Sequence, residues 1–132
     1  MRPMQLEILT PLEISVRTPV RRIVAEGPDG SFGMLPHHID FVSQLVTGIL
    51  VYEDMQGEEH YAAVNFGTLI KCDDRVRIAT RSAILGENLD TLEARMKREF
   101  RQQDEEEREA RSALARLEAQ MIRHFLDPEK TQ

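Results

Sequence analysis

The sequence predicts a β-sandwich or flattened barrel over its first two-thirds, followed by amphipathic helix. Three observations predict it. Short segments rich in Ile and Val, among them QLEIL, VRRIVAE, GILVYED, GTLIKC and RVRIAT, alternate in part between apolar and polar residues, the period of a half-buried strand. Turn-forming residues punctuate them: Pro11, Pro19, the GPDG at 27–30, Pro36, Gly57 and the CDDR at 72–75. After Gly86 the apolar residues fall three and four apart instead.

LEISV, EHYAAVN and SAILG complete the strand candidates, and roughly eight to ten strands at this spacing favour a sandwich over a parallel α/β plan. Five of the six prolines precede residue 37, where helices are correspondingly disfavoured. Beyond Gly86, Leu89, Leu92, Met96 and Phe100 line one face of a first helix, capped by Asn88 or Asp90. Ala110, Leu114, Leu117, Met121 and Phe125 line a second, which Asp104 and Glu107 would cap. Two such helices joined by a polar turn make a helical hairpin with little apolar area of its own, hence one able to move.

With 132 residues the chain is long enough for one domain with a real core or for one small domain carrying an appendage. Its formal charge of −6 argues against a phosphate-backbone binder, which would show a basic face. Acids exceed bases by 11 to 8 in residues 1–86 and by 12 to 9 in 87–132, so charge does not separate the halves. No apolar run is long enough to cross a bilayer, and the N-terminus does not read as a signal peptide. The single Cys72 excludes an internal disulfide, and its neighbours Asp73 and Asp74 are not the electropositive setting of a nucleophile.

GSFGMLPHHID at 30–40 is the stretch most suggestive of chemistry. His37 and His38 are adjacent, so in extended backbone their rings point to opposite sides. His60 falls in a polar strand and His124 near the end of the last helix, so no three or four ligands converge and no metal is expected. The serines lack a nucleophile elbow, and no phosphate-binding glycine loop leads into a helix. Gly30, Gly33 and Pro36 instead describe a stiff corner carrying Phe32, Met34 and Leu35. It reads as architecture.

The corner EGPDGSFGMLPHHIDFVSQLVTGIL, followed in order by VNFGTLIKCDDRVRIATRSAILGENLD, resembles the epsilon subunits of bacterial F-type ATP synthases, and the likeness covers residues 4–126. The resemblance implies a ten-stranded β-sandwich over 1–86 and an antiparallel two-helix hairpin over 87–132. It implies a noncatalytic, cofactor-free subunit of the rotor's central stalk, supporting ATP synthesis driven by an ion gradient. The sandwich would bind the gamma subunit and rest on the c ring. The hairpin would fold back or extend transiently toward the alpha and beta subunits and block hydrolysis. The implied location is the cytoplasmic face of the bacterial membrane, reached only through the complex, with no nucleic acid as partner.

Residue by residue, the resemblance places Gly30, Ser31, Phe32 and Gly33 in the loop facing the c ring, with Ser31 where many relatives carry Glu. His38 matches the family's His near the gamma contact. His37 replaces a usual Gly, which implies a divergent branch such as the sodium-translocating variants. Some relatives bind ATP through Ile/Leu-Asp-x-x-Arg-Ala; here LDTLEARM puts Glu93 at the Arg position, so weak or absent ATP binding is expected. Arg108, Arg111, Arg116 and Arg123 would meet an acidic segment of the beta subunit in the inhibitory state. Two other readings compete: a free-standing nucleotide-sensing module with a mobile hairpin, and a small β-sandwich enzyme using His37, His38 or His60. Complex formation with a gamma subunit separates the first reading from both.

Overall fold

A computed structural model describes residues 2–86 and 88–126 of the chain. They form β1 (Met4–Leu9), β2 (Ile14–Gly27), β3 (Gly30–Met34), β4 (Phe41–Leu45), β5 (Gly48–Asp54), β6 (Glu59–Val64), β7 (Gly67–Cys72), β8 (Arg75–Thr80), β9 (Ala83–Gly86) and α1 (Leu89–Leu126). Hydrogen bonding links the strands in the order β4-β7-β8-β1-β2-β5-β6-β9, with β3 on β2. All pairs are antiparallel except β1 with β8.

Alternation decides which residues face inward. β8 alternates exposed and buried along its whole length, and β1 buries Met4, Leu6 and Ile8. Leu45 and Leu69 from the β4–β7 end of the order share one core with Leu50, Ala62 and Val64 from the β5–β6 end. Two apolar faces closed on one core make a sandwich. Each such Leu or Ile contributes about 1.5–3 kcal/mol relative to exposure. At the start of β7 the backbone approaches β8 so closely that a Cβ on Gly67 would collide with the Ala79 carbonyl oxygen.

The described residues hold nine strands, not ten. LEISV and VRRIVAE, expected as separate strands, run together through Pro19. Pro19 pairs with Gln5 of β1, while pairing with β5 begins only at Val20, so the missing N–H leaves no bond to β5 unmade. The stretch read as a corner contains β3 and precedes the short edge strand β4.

The helical hairpin is also corrected. Residues 89–126 are one continuous helix. RQQDEEER at 101–108 contains neither Gly nor Pro, and its polar residues serve equally well inside a helix. Gln102 Nε2 donates to Glu106 Oε1 at 3.3 Å and Arg111 Nη2 to Glu107 Oε1 at 2.8 Å, pairs four apart that support the helix through the expected turn. Asp104 and Glu107 are therefore interior residues, not caps. Asn88 is the cap: its Oδ1 accepts from Asp90 N at 2.9 Å and Thr91 N at 3.3 Å. The chain falls into two compact units dividing between Met96 and Lys97.

Candidate docking surface

The segment at 27–41 is built from a hairpin, a strand and a turn. Gly27 of β2 pairs with Gly30 of β3 across Pro28 and Asp29, and Gly30 takes φ 120, which a side chain would strain. Gly33 is an ordinary strand residue opposite Val24. Gly30, Ser31 and Gly33 are exposed, whereas Phe32 is half-buried against the core and meets Phe41 edge-on at 5.8 Å.

A second turn spans residues 35–38, where His38 N donates to Leu35 O at 3.2 Å. Pro36 and a His37 φ of 72 give it the type II form. His37 thus occupies left-handed backbone without being glycine, at the position the resemblance assigns to Gly. His37 is therefore not in extended backbone, contrary to expectation. His37 is exposed, and the His38 ring lies 4.9 Å from Phe41 with Nδ1 2.8 Å from Ile39 O.

Lys71 fixes this turn from below. Its side chain is buried, and Nζ donates to the His38 carbonyl oxygen and to Asp40 Oδ1 at 3.4 Å. Asp40 Oδ1 also accepts from Asp73 N at 2.8 Å. Both lysine contacts reach from β7 to the segment before β4. Beyond them the surface turns apolar: Val42 and Ile70 are partners across β4 and β7 and are 68% and 46% exposed, with Ile39 at 76%. Adjacent exposed aliphatic side chains on an edge pair suit a protein partner.

Asp54, Glu58 and His60 bring possible ligand atoms within 4.8 Å of one another, a grouping that spacing alone did not reveal. Its visible work is structural. Asp54 Oδ1 accepts from Gln56 N at 2.9 Å and Glu58 N at 3.0 Å, closing the β5–β6 turn, and Oδ2 lies 2.7 Å from His60 Nε2. The His60 hydrogen bond and then the Glu58 amide hold the Asp54 carboxyl below its ordinary value of 3.8. The His60 ring stacks on Tyr52 at 5.2 Å.

Along α1, Arg108, Arg111, Arg116 and Arg123 are exposed. Arg111 pairs with Glu107, and Arg116 Nε donates to Ser112 O at 3.4 Å. At helical period they occupy one side, and Leu114, Leu117, Met121 and Phe125 the other, all exposed. Glu93 is exposed in the second turn of the helix.

Comparison with known proteins decides the family. The model of the ATP synthase delta/epsilon chain β-sandwich domain matches residues 3–86. The chain belongs to the ATP synthase epsilon chain family. An ATP synthase epsilon chain 2 of Cereibacter sphaeroides is 35% identical over 92% of this chain and 84% of its own length. A second, from Paraburkholderia xenovorans, is 34% identical over 93% and 90%. Among solved structures, a chain of the Euglena gracilis mitochondrial ATP synthase OSCP/F1/c-ring assembly superimposes with TM-score 0.61 at 26% identity. That match covers 64% of this chain and 54% of the other, so this chain spans about half of that relative. A chain of the Tetrahymena thermophila central stalk and c ring shares the fold, with TM-score 0.53 at 16% identity, over 63% and 66%. Within this epsilon chain, the segment 27–41 and the Val42–Ile70 pair are the features best suited to contact.

Proposed function

We infer that this chain is a noncatalytic central-stalk subunit of a rotary F-type ATP synthase, held in a membrane-associated complex. The observation that carries the inference is the kinship with epsilon chains over nearly the whole length, 35% identity across 92% of this chain. Among the described residues no helix is long and apolar enough to cross a membrane, so on this reading the membrane is met through the complex. The face proposed is the cytoplasmic one.

The sandwich supplies a stiff body for transmitting torque. Its gamma-subunit contact is assigned to His38 with Val42 and Ile70, where apolar side chains stand exposed beside a turn braced by Lys71. Removing several hundred Å² of such surface, at about 25 cal/mol per Å², offsets association costs of several kcal/mol. The c-ring contact is assigned to Gly30, Ser31, Phe32 and Gly33 at the exposed hairpin, where Ser31 offers a hydroxyl and no charge. Residues 87–132 are assigned regulation: the apolar stripe of α1 and Arg108, Arg111, Arg116 and Arg123 would engage the alpha and beta subunits transiently. No ATP site is assigned to the first helical turns, because Glu93 presents a carboxylate where a phosphate would need a cation.

Gel filtration of the full chain with its gamma subunit tests the reading. A stoichiometric complex is expected, weakened about tenfold or more by Val42→Glu. Separate elution of the two wild-type chains contradicts it. Equilibrium dialysis with ATP tests the nucleotide assignment, and binding at low micromolar concentration overturns it.

A further inference from the structure

We propose that the cleft walled by Arg2, Arg21, Leu35, Pro36 and Met55 binds a small organic phosphate, its phosphate on the guanidinium groups and its body on the apolar wall. This goes beyond the stalk assignment and does not depend on it.

The cleft begins with an irregularity in β2. Val20 pairs with Asp54 of β5, and the next pair joins Arg22 to Glu53, which leaves Arg21 as an extra residue in a bulge. In a regular strand neighbouring side chains point to opposite faces. Here Arg21 and Arg22 line the same cleft, the kind of re-aiming that a bulge provides. On the other side of β2, β1 pairs Met4 with Val20, so Pro3 and Arg2 arrive at the same level and complete the wall. The cleft is open to solvent on one side and offers about 600 Å³, within the range of small-molecule sites.

Charge selects the ligand. Arg22 is held by Glu53 at 3.5 Å and Glu59 at 2.7 Å. Among the described residues Arg2 and Arg21 have no acidic partner. Glu53 also lines the cleft and is taken up by Arg22, which leaves the two guanidiniums of Arg2 and Arg21 to match the roughly −2 charge of a phosphate monoester. The same cleft is lined by Leu35, which is 60% exposed, and by Pro36 and Met55. An acidic peptide is the poorer fit: it would want an open edge or groove with cations spaced along it, and this is a short, concave space.

The cleft adjoins the docking segment through Leu35 and Pro36 of the 35–38 turn, but Gly30, Ser31, Phe32 and Gly33 lie outside its lining. Its level is that of the Ile23–Met34 pair, four residues from the Gly27–Gly30 tip, roughly 14 Å at strand rise. His38 and α1 contribute nothing to its lining.

Calorimetry on the full chain tests the proposal, using phenyl phosphate, inorganic phosphate, benzoate and a Glu-rich peptide as probes. Phenyl phosphate should saturate one site and bind about tenfold tighter than inorganic phosphate or benzoate. Arg21→Gln and Arg2→Gln should each weaken it about tenfold, while Arg75→Gln leaves it unchanged. Leu35→Glu keeps both guanidiniums and should remove the preference for phenyl phosphate over inorganic phosphate. Thermal midpoints confirm that these exposed substitutions fold. The proposal is overturned by absent saturation, by affinity indifferent to Arg2 and Arg21, or by tighter binding of the peptide.

Discussion

The sandwich and the far part of the helix use apolar residues in opposite ways. In β1 and β8 every second side chain is buried by the chain itself. From 108 to 126 every residue is exposed, and Leu114, Leu117, Met121 and Phe125 still form a stripe. The strands complete their own hydrophobic contacts. The helix segment carries half of one. On the proposed function the two serve different ends: the sandwich as a body that keeps its shape, and the helix segment as a surface for a partner from outside.

The sandwich is most vulnerable at Gly67. Gly67→Ala would drive a methyl into the Ala79 carbonyl on β8, and a loss of about 3 kcal/mol or more is expected, read as a lower thermal midpoint by circular dichroism. Removing residues 108–132 should do the reverse: shift the sandwich's midpoint by no more than about 2 °C while raising ATP hydrolysis by the assembled complex. Unchanged hydrolysis would remove the inhibitory assignment.

Smaller effects sharpen the account within the sandwich. Ile70→Glu should weaken gamma binding about tenfold and change stability by less than about 1 kcal/mol, because the side chain is already half exposed. His60→Gln removes the largest influence lowering the Asp54 carboxyl, so NMR titration should show that group rising toward its ordinary value. The sign follows from linkage. A depressed folded-state value stabilises fully above the unfolded one and is lost as pH falls through the folded one, so in the variant that contribution is smaller and its loss is complete at a higher pH. The smallest change is expected from His37→Gly, where relief of left-handed backbone strain is largely cancelled by the greater freedom of glycine when unfolded; an unfolding free energy within about 0.5 kcal/mol of wild type is expected by denaturant titration.

Legibility in the sequence followed the strength of the local pattern. β5, β7 and β8 stood out because apolar and turn residues marked both ends. β3 and β4 did not, since GSFGM carries two glycines and FVSQL buries only Leu45 completely. The parallel pairing of β1 with β8 depends on contacts some seventy residues apart, as Leu6 with Val76 shows, and no short window contains it. The second helix was misplaced because DEEE satisfies the rules for a helix start and for a helix interior alike. For the docking surface, the order of motifs led to the 30–38 segment. The brace from Lys71 was invisible, since Lys71 looked like one more polar residue near a strand end. Arg21 and Arg22 gave no sign of the bulge, which exists only relative to Asp54 and Glu53 on another strand.

Hydrogen exchange on the full chain, free and then in the assembled complex, tests the division most directly. Amides of β1, β5 and β8 should be protected alike in both states, while those of 108–126 exchange fast in the free chain and slow on assembly. Protection of 108–126 in the free chain equal to that of the strands would contradict it.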